Sequence, residues 1–275
     1  MSTTEPTMKP TATKRVPMSS LRKTSLTAGV FYLITFVSIP TLFLYSPVKE
    51  ANYIVGSGPD TQVLIGGLLE IIVALAGIGT AVTLYPVVKR QNQGVALGFV
   101  SMRTLEAATI FAGVVSLLSV VTVRQAGAGT DALSTGQSLT AQYHWTFLLG
   151  QAFLPGINAV LLGSLMYKSR LVPRWLPTLG LIGAPIIFAS VIAKYFGVYD
   201  ELSPLSGLAA LPVAVWEFSL GVYLTVKGFK PCAITAEMTE EATPPRRVHL
   251  NQSHSLSQRP ETPTPASGTG ANPTR

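Results

Sequence analysis

Four ionisable side chains, Glu70, Arg103, Glu106 and Glu217, fall inside long apolar runs of the sequence, and His144 and Asn158 lie at the start of and within another. At the centre of a membrane helix such a charge costs about 3 kcal/mol on insertion scales, so it needs a partner or a water-lined cavity. Arg103 and Glu106 are three residues apart and therefore share one helix face. With a rise of about 1.5 Å per residue, Arg103 and Glu217 come to similar depths, roughly 12 and 14 Å from one end of their runs. This predicts an Arg103–Glu217 bridge with Glu106 alongside. Glu70, nearer the other end, is expected to meet His144 or Lys194. One arginine against three glutamates leaves an excess of negative charge, so at least one carboxyl is expected to be neutralised by a proton or a further cation.

The elements that must position these groups follow from composition. Of 275 residues 48% are hydrophobic and 12% charged, about half the charge of a soluble domain. Six apolar stretches are long enough to cross a hydrocarbon core of about 30 Å: residues 26–45, 63–88, 95–123, 145–167, 175–195 and 205–226. They are continuous rather than alternating, which favours helices over a barrel. Tyr45, Tyr85, Trp145, Tyr167, Trp175 and Tyr195 mark run ends at interface depth. The fold class expected is all-α, an integral membrane bundle of six transmembrane helices. The first run follows a polar tail and lacks a small-x-small cleavage site, so it reads as a retained signal-anchor. Pro155 and Pro185 lie deep enough to kink their helices.

Faces can be read at 100° per residue. Gly66, Ala74, Gly77 and Ala81 share a stripe with Glu70, and Gly207, Ala210, Ala214 and Gly221 share one with Glu217. Small residues at this spacing let helices approach closely. In the third run Thr104, Ala108, Ala112 and Ser116 form a small-residue ridge opposite Arg103 and Glu106. Two faces asking for partners place that helix centrally.

The net charge of +7 does not point to nucleic acid, because the charges sit in tails and short loops. Sixteen of the 20 Lys and Arg fall on one side of the six runs, including Lys89, Arg90, Lys168, Arg170, Arg174 and the basic residues of both tails. The positive-inside rule then puts both termini in the cytoplasm. Residues 1–20 and 232–275, rich in Pro, Thr and Ser, are expected to be disordered; residues 21–231 form the membrane domain. The single cysteine, Cys232, excludes an intrachain disulfide and a CxxC metal site.

No phosphate loop and no HExxH occur. Ser164 and His144 stand about a helix length apart, so they cannot form an intramembrane serine dyad. No catalytic residue, metal site or cofactor is expected. Asn158 reads as a hydrogen-bonding partner for a neighbouring helix and His144 as an interfacial histidine.

Several segments together resemble a known family: Leu21-Arg22-Lys23-Thr24 before the first run, Leu68-Leu69-Glu70, Arg103-x-x-Glu106, His144-Trp145-Thr146-Phe147, Pro155-Gly156-Ile157-Asn158 and Trp216-Glu217. Over roughly residues 20–231 the chain is similar to the bacterial multi-pass membrane proteins catalogued as domain of unknown function 4386. The resemblance implies a bacterial inner-membrane location and supplies no activity or catalytic residue.

Three functions stay open. Glu70, Arg103, Glu106, Glu217, His144 and Asn158 are either a structural core holding the bundle together, or a polar path for a small polar or ionic ligand or a proton, or, with least support, the site of an intramembrane enzyme. The partner expected in every case is the lipid bilayer. A fluorescent protein fused after Arg275 is expected to fluoresce, while alkaline phosphatase fused there stays inactive; the reverse pattern would overturn the cytoplasmic placement of the termini.

Overall fold

In the computed structural model, which describes residues 18–127, 129–200 and 203–241, the apolar runs are helical and no strand occurs among the described residues. The helices are α1 (Ser20–Ile34), α2 (Thr41–Leu44), α3 (Asp60–Val88), α4 (Gln93–Gln125), α5 (Leu133–Thr146), α6 (Leu154–Ser169), α7 (Trp175–Tyr195), α8 (Pro204–Val226) and α9 (Ala233–Glu241). Six helical stretches among them are long and apolar enough to cross a membrane. Side-chain caps mark three starts: Ser19 for α1, Asn92 for α4 and Ser203 for α8. Each accepts a hydrogen bond from a backbone N–H of the first turn.

The long helices close into a ring. α1 touches α3 and α8, α3 touches α4, α4 touches α6, α6 touches α7, and α7 touches α8. The outward faces are apolar, with Leu68, Leu75, Val82, Ile182, Leu208 and Leu211 exposed. One buried cluster, with Tyr32, Leu84, Phe99, Leu162, Met166, Trp216 and Leu220, fills the half of the bundle nearer the basic loops. A second, with Tyr45, Tyr53, Val63, Leu117 and Tyr143, fills the far half.

The seam between the first and last helices of the ring is tight. A Cβ on Gly29 would lie 2.6 Å from the Thr225 nitrogen and 2.7 Å from the Gly221 oxygen, so only glycine permits that approach. At the end of the seam the Arg22 guanidinium donates to the carbonyls of Leu224 at 2.9 Å and Thr225 at 2.6 Å. These are C-terminal carbonyls of α8 with no partner inside the helix.

Several expectations are corrected. The first span is not one helix: after α1 the chain tightens into a 3₁₀ turn at Thr35–Ser38 before α2. Pro40 has no N–H for the fourth residue back, so the hydrogen-bond ladder of the first span is interrupted there. The Thr35 and Ser38 hydroxyls donate to the carbonyls of Tyr32 and Thr35. The helical stretch that carries the fourth apolar run begins at Gly129, well before Trp145. Its early part, α5, is rich in Ser, Thr and Gln, and so is invisible to a search for apolar runs. Between α5 and α6 the helix widens into a π turn at Phe147–Ala152. Pro155 follows four residues after Gln151, whose carbonyl it cannot satisfy and would strike in a regular helix. α7 continues as one helix through Pro185.

α4 is a member of the ring rather than its axis, and of its small-residue ridge Thr104, Ala108 and Ala112 are exposed while Ser116 is buried. Small side chains face lipid without penalty, so the ridge did not require a partner. Residues 233–241, placed in a structureless tail from the sequence, form α9. Ile234 and Thr235 are buried, and Arg90 pairs with Glu241 at 2.6 Å. That guanidinium holds the Glu241 carboxyl below the usual carboxylate range. The rest of the two tails, residues 1–17 and 242–275, lies outside the described residues.

Gly29→Ala is expected to cost about 1–3 kcal/mol by overpacking the α1–α8 seam. Gly207→Ala, where a Cβ meets open space, should change stability by less than about 0.5 kcal/mol. Thermal unfolding of the two variants in one detergent checks the contrast.

Candidate functional site

Arg103 points from α4 into the middle of the ring. Its Nη1 donates to Glu106 Oε2 at 3.0 Å and its Nη2 pairs with Glu217 of α8. The guanidinium carbon lies 5.6 Å from the Tyr32 ring and 5.8 Å from the Phe99 ring, within the range of a cation–π contact. From α6, Asn158 Nδ2 donates to Glu106 Oε2 at 2.8 Å. Four ring helices, α1, α4, α6 and α8, thus converge on one cation. Arg103 is 4% exposed, so water screens these contacts little and each is stronger than its surface equivalent.

The cluster is not sealed. A cavity of about 220 Å³ has Arg103, Glu106, Glu217, Gln151, Thr35 and Ser38 on its wall. Thr35 and Ser38 stand there because Pro40 breaks the first span, and Gln151 because the π turn carries it. π turns inside helices are frequent at functional sites. Beside the cluster Arg103 Nε, Asn158 Oδ1 and Tyr32 Oη are buried with no hydrogen-bond partner among the described residues.

Glu70 is 1% exposed and belongs to a separate polar centre. Its hydrogen bonds come from uncharged donors, Tyr45 at 3.2 Å on Oε2, and Tyr143 at 3.4 Å and Gln151 at 3.2 Å on Oε1, and the charge of Lys49 acts on it as well. The Tyr143 hydroxyl takes this position because residue 144 projects about 100° further round the helix than residue 143. His144 instead lines cavities at the far end with Lys49, and Lys194 donates to Ser206 at 3.1 Å. Of the six site candidates, the structure brings Arg103, Glu106, Glu217 and Asn158 together and sets Glu70 and His144 apart.

Sequence reasoning passed over Tyr32, Tyr45, Tyr143 and Gln151. Tyr45 read as an interface aromatic. Gln151 carried a signal in being an amide inside an apolar run four residues before Pro155. Among the described residues no three of His, Cys, Asp or Glu come together as a metal cage.

Comparison with known proteins adds one finding. Residues 27–228 match the family described as Domain of unknown function (DUF4386). No curated protein and no solved structure matches the chain.

Replacing Arg103 by Ala leaves two carboxylates facing each other and is expected to cost about 3–5 kcal/mol, as breaking buried pairs does. Adding Glu217→Gln to Arg103→Ala should return part of that loss, because one orphaned charge is then removed. A double-mutant cycle on unfolding in detergent measures both effects.

Proposed function

The chain belongs to the DUF4386 family, and we propose that it is a membrane carrier for a small polar or cationic solute held in the Arg103 cavity. The observation carrying this is that Glu217 shares its arginine and also stands on the cavity wall. Two carboxylates against one guanidinium leave an excess of negative charge when both are ionised. A packed structural tie would need neither the excess nor the open volume. Gln151, Thr35 and Ser38 add neutral donors and acceptors to the same wall, the mixture a small polar solute needs for orientation.

A second reading is supported by the two terminal nitrogens of Arg103, both of which are held by carboxylates. In that reading the cluster is a tie that sets helix register, and the protein acts through partners. For either reading we infer a bacterial inner-membrane location with both termini in the cytoplasm. The concentration of Lys and Arg on one side of the spans supports the orientation, and the resemblance noted above supports the membrane.

The test uses the full-length protein in detergent with a panel of small cations, amines, amino acids and sugars. A solute present at one hundred times its Kd should stabilise the fold by about 2.7 kcal/mol. Glu217→Gln keeps an acceptor for Arg103 and should abolish that stabilisation while leaving the unliganded protein folded. A panel that shifts nothing in the wild type, or a shift that survives Glu217→Gln, favours the structural tie.

A further inference from the structure

Two carboxylate centres stand on either side of Gln151, and their surroundings differ in kind. Glu106 and Glu217 are held by Arg103, a group that only donates hydrogen bonds and keeps its charge. Such a partner favours the ionised carboxylate alone. Glu70 is surrounded differently: Tyr45 Oη, Tyr143 Oη and Gln151 Nε2 meet its two oxygens. Each of these groups both donates and accepts. A tyrosine hydroxyl can turn to receive a proton, and an amide can turn its carbonyl where its NH₂ was. The shell of Glu70 can therefore hydrogen-bond either the carboxylate or the carboxylic acid, without any helix moving.

That shell is built rather than incidental. A Cβ on Gly66 would lie 2.5 Å from the Tyr45 ring, and one on Gly113 would lie 3.2 Å from the Tyr143 ring. These two glycines, on α3 and α4, admit the tyrosines to Glu70. The tyrosine rings then pack edge to face with centroids 5.5 Å apart. Gln151 reaches Glu70 from the π turn and lines the Arg103 cavity as well.

Charged groups approach this centre from several packed elements. From the segment after α2, the Lys49 ammonium lies 4.9 Å from the Tyr143 ring and acts through its charge on Glu70. From α5, the His144 ring touches that of Tyr143. From α4, Arg103 and Glu106 stand on the cavity beyond Gln151. On α3 itself, Asp60 is engaged by Arg124.

We propose that Glu70 is a reversibly protonated site whose state Gln151 transmits to the Arg103 cavity, making the proton the co-substrate of the carried solute. In the step, a hydronium ion from solvent gives its proton to a Glu70 oxygen and returns water; one O–H bond forms and the site loses one negative charge. With Glu70 ionised, the Gln151 NH₂ faces it. With Glu70 protonated, the amide turns its carbonyl to the new O–H and presents NH₂ to the cavity. The cavity wall thereby exchanges an acceptor for a donor beside Glu106 and Glu217. The co-substrate role rests on the carrier reading above; the protonation of Glu70 does not.

Infrared spectroscopy of the full-length protein in detergent tests the proposal with no solute present. Spectra across pH should contain a carboxylic-acid C=O band that grows as pH falls and is missing from Glu70→Gln. Glu217→Gln should displace the midpoint of that band by at least about 0.4 pH unit, the lower end of coupling within one network. Replacing Gln151 by Leu should cut the displacement to less than about half. If no band depends on Glu70, the protonation is overturned; if the displacement is unchanged in Gln151→Leu, the transmission is overturned. Should Glu70→Gln not fold, Tyr143→Phe serves in its place, since a carboxylate deprived of one donor holds its proton to higher pH; an unmoved band then overturns the assignment. A cavity that binds no solute leaves the band in place, so the carrier reading and the Glu70 site fail separately.

Discussion

A guanidinium removed from water has to be given acceptors before the helices around it can pack, and in this bundle that requirement falls on Arg103. Lipid offers nothing in exchange, so the acceptors must come from the protein. Glu106 is supplied by the same helix one turn away, Glu217 by α8 across the ring, and Asn158 supports Glu106 from α6. The arrangement fixes which faces of α4, α6 and α8 turn inward. With Tyr32 and Phe99 stacked near the cation, α1 is drawn into the same point. The α1–α8 seam closes the same ring, and Gly29 and Gly221 bring the two backbones together there.

The same principle explains why the two polar centres differ. Where a permanent cation is present, two carboxylates gather on it. Where the neighbours are tyrosines and an amide, the hydrogen-bonding groups can turn to meet either form of the carboxyl. Both centres lean on departures from regular helix: Pro40 turns the first span into a 3₁₀ segment that exposes Thr35 and Ser38 to the cavity, and Pro155 sits behind the π turn that carries Gln151. Proline acts here by opening polar positions in segments that would otherwise be smooth rods.

Much of this was legible in the residues themselves. Run length located the six membrane stretches, since the hydrocarbon thickness allows few alternatives. Depth counting led to Arg103 and Glu217, because charges in oil have few places to go. The partners of Glu70 were not legible. Neutral hydroxyls and amides carry no long-range preference, and tyrosine near a run end reads as an interface marker. The early part of the fourth stretch was missed because Ser134, Thr135, Gln137, Ser138 and Gln142 are polar and exposed, and only Gly136 and Tyr143 of α5 are buried. α9 was missed because a charged, Thr-rich segment has no core of its own; Ile234 packs into the core of the bundle and Glu241 meets Arg90. The ridge on α4 misled for the converse reason: small residues permit close contact without demanding it.

The ring carries a consequence for how the chain is made. Arg103 and Glu217 are separated by 114 residues, and the helix bearing the glutamate is the last of the six to leave the ribosome. Until then the arginine has entered the bilayer with Glu106 alone, and the groove on α1 that receives Gly221 stands open to lipid. The α1–α8 contact and the Arg103–Glu217 pair therefore both depend on the last helix, which brings the cation its second carboxylate.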